Sequence, residues 1–314
     1  MLYILSPDCK LVRGRSRAAL YDLGHNTISL VPLQLLDAFS GKSIDSENLP
    51  KELRGIFNSL VDKQCLIREA SIPVLELSSE EEDVSLISHC IIQYNEEFPF
   101  DVIASELSQL YCEKIVVIVD SSVAFSDLMF NLNPLCLGVN ANISIHMRYS
   151  DSNRAYLDTL STSLGNIRSV VLYGAPSDGN KAHQDCIIYF LHKSLDLDSC
   201  TCSDYRLILN RRFYDESLRY NNCLYRKLTI LRDGSISNCL FSEQRYGSVF
   251  ARPSFVKIVS SASFQECWMV SKDLIDGCKD CELRYACLDC RYTTNKGRFS
   301  FERPSWCHYP IDED

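Results

Sequence analysis

The chain has 314 residues, enough for two or three domains with cores of their own. Its 41 acidic side chains outnumber 32 basic ones, and a formal charge of -9 argues against nucleic acid as the main partner, since a phosphate-binding face needs excess Lys and Arg. No apolar run reaches about 18 residues, so no membrane-spanning helix is expected, and residues 1–6 are too short and too uncharged for an export signal. Sixteen cysteines without such a signal fit the reducing cytoplasm, as thiols or metal ligands rather than disulfides.

Residues 1–77 read as one small unit. Strands are expected at 3–5, 10–13, 18–23 and 27–31, separated by the turn formers Ser6, Pro7 and Asp8 and by Gly24, His25 and Asn26. A short helix is expected after Pro32, and Pro50 suits the first turn of a second. In that helix Leu53, Ile56, Phe57, Leu60 and Val61 keep the rhythm of a single buried stripe. Strands followed by helices suggest a winged-helix unit or, equally, an ordinary α+β module that packs on its neighbour. The acidic stretch 78–83 reads as an exposed linker.

Residues 86–220 alternate β-branched runs with helical stretches. Strands are expected at 90–94, 115–119, 143–147, 169–173, 186–190 and 206–209, and helices at 101–111, 125–130 and 154–164. This alternation indicates a largely parallel α/β sheet, open or partly closed. No phosphate-binding loop or dinucleotide glycine pattern is present. His146 lies in an apolar strand and reads as a satisfied core histidine. His89, His183 and His192 have no spacing partner; His308 directly follows Cys307, which leaves a ligand role open, although sequence neighbours usually point apart in an extended chain.

The densest signal is the C-x2-C-x5-C-x2-C knot of Cys278, Cys281, Cys287 and Cys290. Upstream stand Cys223, Gly234 and Cys239 in a C-x10-G-x4-C arrangement, and Cys307 follows the knot. Two thiolates two residues apart can hold one metal because a tight turn brings both sulfurs to one side. Zinc ribbons separate such pairs by about 12–20 residues. A shorter spacer with three cysteines over suits iron–sulfur clusters better. Residues 228–239 read as a hairpin with a two-residue Asp233-Gly234 turn that brings Cys223 near Cys239. Phe264, Trp268 and Met269 mark a helix that would cover the cysteine site. Arg291, Lys296, Arg298 and Arg303 read as a solvated basic edge, and the nine scattered cysteines (9, 65, 90, 112, 136, 186, 200, 202, 267) as small core residues.

The cysteine spacing resembles the SPASM domain, the C-terminal module of many radical-SAM peptide-modifying enzymes, although the family's last knot cysteine follows a three-residue spacer and here the spacer is two. Together with Cys9-Lys10-Leu11-Val12-Arg13-Gly14, with Trp268, Lys272 and Asp273, and with residues 281–291, the chain is similar to the SPASM peptide maturases of grasp-with-spasm systems. Those act beside an ATP-grasp ligase on a ribosomal precursor peptide. The resemblance implies an α/β protein in three parts. Residues 1–77 would be a PqqD-like winged-helix recognition element, to whose sheet edge the precursor adds as a strand. Residues 86–220 would be a degenerate partial (β/α)6 radical-SAM-like barrel, and 221–314 a SPASM iron–sulfur domain. It further implies that Cys278, Cys281, Cys287 and Cys307 hold one [4Fe-4S] cluster. Cys223, Cys239 and Cys290 would form a second, incomplete set that keeps an open iron, recruits a ligand such as Cys267, or stays empty.

The radical-SAM C-x3-C-x2-C motif is missing. The loop 95–100 contains no cysteine, and Asp120-Ser121-Ser122-Val123 stands where Gly-Gly-Glu is expected, so S-adenosylmethionine is not expected as a cofactor. No residue is assigned a catalytic role. Three readings remain: a cytoplasmic iron–sulfur peptide maturase or maturase subunit, with a precursor peptide and an ATP-grasp ligase as partners; a non-catalytic scaffold or precursor chaperone of the same fold; and a zinc-binding structural protein.

Overall fold

The computed structural model describes residues 1–71, 85–159, 164–195, 206–288, 290–292, 299–304 and 306–311. The acidic stretch 78–83 lies outside them, as do Cys200, Cys202, Lys296 and Arg298.

The N-terminal part runs β1 (Leu2–Leu5), β2 (Cys9–Arg13), β3 (Arg17–Asp22), β4 (Thr27–Pro32), α1 (Leu33–Asp37), β5 (Phe39–Ser40), β6 (Ser43–Asp45), α2 (Lys51–Asp62) and β7 (Leu66–Arg68). It builds two antiparallel sheets, β2-β3-β4 and β5-β6-β1-β7. The stripe expected on α2 is buried through Leu53, Phe57 and Leu60, with the Phe57 ring edge-on to Tyr3 at 5.1 Å. Gln64 then takes a left-handed φ of 59°. This ends the helix and turns Cys65 into the interior, where it is 3% exposed.

The central part continues with β8 (His89–Gln93), α3 (Phe100–Gln109), β9 (Lys114–Val119), α4 (Phe125–Gly138), β10 (Asn142–Arg148), α5 (Asp151–Thr159), β11 (Ile167–Tyr173), β12 (Gly179–His183) and β13 (Cys186–Leu191). Next come β14 (Arg206–Leu207), α6 (Arg211–Ser217), β15 (Lys227–Ile230), β16 (Ile236–Ser237), α7 (Phe255–Val259), α8 (Ala262–Gln265) and β17 (Cys287–Leu288). An eight-stranded sheet has the order β12-β13-β11-β10-β9-β8-β15-β16. Its six inner strands are parallel, and antiparallel β12 and β16 close the edges.

From β8 to β11 each strand lies beside its predecessor, so the sheet winds one way and right-handed crossovers place α3, α4 and α5 on one face. On that face Ile92, Val117, Ile145 and Leu172 join Ile103, Leu107, Leu128 and Leu132 in one buried core. The opposite face is half open and carries Ile91, Ser144, His146, Ser169 and Tyr173. Among the described residues, no helix is long and apolar enough to cross a membrane.

One strand expectation changes, and one strand was not expected. Residues 206–209 do not supply the sixth parallel strand: both side chains of β14 are exposed, unsuited to a sheet interior, and β14 pairs with β17 in the cysteine knot. The sixth parallel strand is β15, whose Leu228, Thr229 and Ile230 are fully buried and which pairs with β8. Strand β12 has no apolar alternation to announce it; it is a mostly exposed edge joined to β13 by backbone pairing.

The hairpin β15–β16 also turns differently. The Gly234 amide donates to Leu231 O at 2.8 Å, and Gly234 has φ +81°. The loop is therefore a tight turn over Arg232 and Asp233 followed by a left-handed glycine, not a two-residue Asp-Gly turn. A Cβ at Gly234 would sit 2.5 Å from the Phe250 ring. Gly234→Ala is expected to destabilise by more than about 1–2 kcal/mol, the left-handed penalty alone, and to loosen the approach to Cys239; denaturant titration with metal analysis checks both.

Candidate metal centre

The knot is a series of tight turns. The Cys281 amide donates to Cys278 O at 3.0 Å, closing the first C-x2-C turn. Ala286 and Cys287 both donate to Leu283 O at 3.0 Å, which turns the chain before β17. The β14–β17 pair holds Cys287, and the β15–β16 hairpin delivers Cys239.

Several of the motif cysteines lie beside one another. Cys278 lies in the field of Cys307, Cys281 in that of Cys287 and Cys278, and Cys287 in that of Cys278 and Cys307. Cys239 lies in the field of Cys223 and Cys290. Cys267, buried at 8% exposure, lies in the field of Cys239, which makes it a neighbour of the second set rather than a scattered core residue. Burial first, and neighbouring sulfurs after it, push Cys281, Cys287 and Cys267 up to about 12, and Cys239 to about 11. As free thiols these groups are therefore neutral at pH 7. Lys227 Nζ stands 3.8 Å from Cys223 Sγ.

Arg291 is not part of a solvated edge. It is 1% exposed and lies in the field of Cys278, Cys287, Cys223 and Cys307, so it is wedged between both sets. Its Nη1 donates to Glu302 O at 3.0 Å and to Ser300 O at 3.4 Å. Burial lowers its pKa, and the surrounding sulfurs work against that. A small cavity beside it is lined by Asn222, Cys223, Lys272, Ile275 and Cys287. Arg303 is half-buried and donates to Tyr309 O.

The aromatic cover is Trp268, 5% exposed, packed edge-on against Tyr225 at 5.8 Å and Phe264 at 5.6 Å. Its carbonyl accepts from the Asn221 amide, two residues before Cys223. Met269, expected with it, faces out at 57% exposure.

The β2–β3 hairpin docks on the knot. The Arg15 amide donates to Asp280 O at 2.9 Å, Arg284 Nη1 to Arg13 O at 2.7 Å, and the Tyr21 hydroxyl to Glu282 O at 2.8 Å. The fully buried Glu282 carboxylate accepts from Arg17 Nε at 2.5 Å and from the Tyr309 hydroxyl at 2.7 Å.

One group of donors escaped the sequence reading. Among the described residues, Cys9, Asp22 and Cys65 bring three donor atoms within 4.8 Å of one another, all buried. Burial, with Cys65 and Asp22 nearby, pushes the Cys9 thiol up to about 12. The only early signal was three donor residue types near strand ends, with no common spacing.

The ends of β8 and β9, where a radical-SAM cluster would stand, carry no cysteine. Arg232 pairs with Asp120 at 2.8 Å, and Asn95 donates to Arg232 O at 3.0 Å. His146 has Tyr173 Oη and Ser144 Oγ each 3.1 Å from one of its ring nitrogens. It is thus satisfied, on the half-open face. Burial, then Lys193, lowers its pKa below the ordinary value near 6.5. The folded state binds this proton less readily than the unfolded chain, so its contribution to stability is full above about pH 6.5 and is lost as pH falls toward the lowered value. His146→Gln is expected to flatten that acid limb in pH-dependent denaturation. His308 is exposed.

No family model and no curated relative matches the chain. Among solved structures, the crystal structure of E. coli MccB with selenomethionine MccA aligns at 13% identity and a TM-score of 0.18, over 56% of this chain and 64% of that chain. The chain thus spans less than two thirds of that protein's length, and a likeness so slight fixes neither fold nor function.

Proposed function

We propose that this chain is an iron–sulfur protein of ribosomal-peptide maturation that binds a precursor peptide and works beside an ATP-grasp ligase. The observation that carries the reading is Arg291, a cation taken out of water among sulfurs of both cysteine sets. A buried guanidinium is costly in a low-dielectric site, and the Cys287 thiol beside it, pushed up to about 12 chiefly by burial, is a poor anionic partner. Metal-bound thiolates supply that charge. Cys278, Cys281, Cys287 and Cys307 would hold one [4Fe-4S] cluster; Cys223, Cys239 and Cys290, with Cys267 as fourth ligand, would hold the other.

The spacing supports clusters over zinc. Four sulfurs on one tetrahedral zinc stand about 3.8 Å apart, given a bond near 2.3 Å. Among the described residues, which include all seven, no three of these sulfurs are grouped within 4.8 Å of one another. A four-iron cluster places each thiolate on its own iron and so spreads the donors. When bound, such a cluster supplies a site that accepts and returns one electron. The chain's own residues do the rest: Trp268 and Phe264 exclude water, and Arg291 holds positive charge between the two sets.

For the peptide, β2 pairs among the described residues with β3 alone, and its outer edge, tied at Cys9 and Arg13, has no neighbouring strand at Leu11. Beside it runs a cleft of about 700 Å³ lined by Leu5, Lys10, Leu11, Leu36, Phe39 and Tyr214. An extended peptide would add to that edge by backbone hydrogen bonds and place side chains in the cleft. Tyr214 packs on Tyr285 of the knot at 5.6 Å, so a bound peptide would run toward the cysteines. Asn95, Asp120 and Arg232 in place of the radical-SAM ligands favour the scaffold form of this reading, in which the ligase forms the new bond.

Protein purified without oxygen is expected to hold about eight iron and eight sulfide per chain. Cys281→Ala should remove about four of each, and Cys239→Ala the other four. Zinc without iron would overturn the cluster assignment. Calorimetry with a candidate precursor peptide should show binding that Leu11→Asp weakens, and mass spectrometry should find the peptide modified only when an ATP-grasp ligase is present. Iron-loaded protein that binds no precursor would sink the peptide assignment and leave the clusters standing.

A further inference from the structure

Cys9, Asp22 and Cys65 come from three separate elements. Cys9 opens β2, Asp22 closes β3 directly opposite it in the ladder, and Cys65 lies between α2 and β7. Their exposures are 3%, 8% and 3%. Cys65 Sγ stands 3.8 Å from Asp22 Oδ2. The carboxylate is aimed by its own turn: Oδ1 accepts from the Gly24 amide at 3.2 Å and the His25 amide at 3.0 Å. The His25 ring, exposed at the rim, stands 2.8 Å from Oδ2 through Nδ1.

We infer that Cys9, Cys65 and Asp22 form a structural zinc site, with His25 as fourth ligand or as the group that orients Asp22. Two thiolates with a carboxylate and an imidazole suit a borderline-soft tetrahedral ion and not magnesium or calcium, which take oxygen shells. Donors on one zinc stand roughly 3.3–3.8 Å apart, so closing a group already within 4.8 Å takes small side-chain shifts. The backbone is already tied at this point. The Ser6 amide donates to Cys65 O at 2.9 Å, the Cys9 amide to Ser6 O at 2.8 Å, and the Leu23 amide to Asp8 O at 2.9 Å. A metal here joins the two N-terminal sheets and stiffens the β2–β3 hairpin that docks on the cysteine knot. This site is independent of the proposed clusters.

The test is metal analysis of the full chain, purified without oxygen from cells supplied with iron and zinc. The wild type is expected to carry one zinc per chain that Cys9→Ser and Cys65→Ser lose, with iron unchanged. Asp22→Asn keeps the side chain's size and its turn, so it guards against misfolding. It should retain the wild-type circular dichroism while binding zinc at least about tenfold more weakly in chelator competition. Cobalt loaded in place of zinc should show thiolate charge-transfer bands that Cys9→Ser removes. Wild type without zinc, equal zinc in wild type and Cys9→Ser, or a Cys9–Cys65 disulfide in freshly isolated protein would each overturn the assignment.

Discussion

Arg291→Met is expected to destabilise the iron-loaded protein by about 3–5 kcal/mol and to stabilise the iron-free protein by about 1–4 kcal/mol. The opposite signs follow from one geometry. With thiolates bound to metal, Arg291 is a cation between two anionic centres, beside Lys227 and Arg303, and removing it strips part of their compensation in a site it shares at 1% exposure. Without metal, its neighbours include the Cys287 thiol, held neutral by burial, and the carbonyls of Ser300 and Glu302. The guanidinium is then a desolvation cost that a methionine of similar length relieves. Denaturant titrations of both forms under nitrogen, each with its iron count, read the two signs. A change of the same sign in both forms would show that Arg291 does not answer to cluster charge.

Arg17→Met is expected to cost about 3–5 kcal/mol, more than Glu282→Gln. Glu282 is fully buried, whereas the Arg17 side chain is 22% exposed. Removing the arginine strands a carboxylate that, among the described residues, keeps the Tyr309 hydroxyl alone, and removing the charge on Glu282 leaves an arginine that reaches water. Arg17 also donates to Pro310 O at 3.1 Å and lies over the Tyr309 ring at 5.3 Å, so its loss loosens the C-terminal segment too. The pair joins β3 to the knot, and the Arg17→Met protein should be nicked by protease in its N-terminal part at lower denaturant than the wild type. A double-mutant cycle should give a coupling of about 0.5–3 kcal/mol. Additive single effects would mean that the ion pair does not hold the N-terminal unit on the knot.

Local patterns carried far along this chain. The apolar stripe on α2 and the β-branched runs of β8 to β11 could both be read, because each rests on side chains a few positions apart. Where pairing spans long separations, local signals fail. The β14–β17 pair joins residues 206–207 to 287–288, and neither segment carries a side-chain rhythm that names its partner. Strand β12 is held by backbone pairing, so its Gly-Asn-Lys-Ala-His sequence resembles a loop. Arg291 looked solvated for a related reason: arginine is usually exposed, and its burial depends on sulfurs contributed from Cys223 to Cys307.

What the sequence by itself determined is therefore the alternating α/β plan, the knot with its outlying cysteines, and the lack of a radical-SAM ligand triad. These are properties of spacing, and spacing is set along the chain. Only the tertiary structure decided that β15 completes the parallel sheet, that the β2–β3 hairpin docks on the knot through Glu282, and that Cys9, Asp22 and Cys65 meet. Each of these joins groups distant in sequence, chosen by which surfaces exclude water together and which buried charges find a partner.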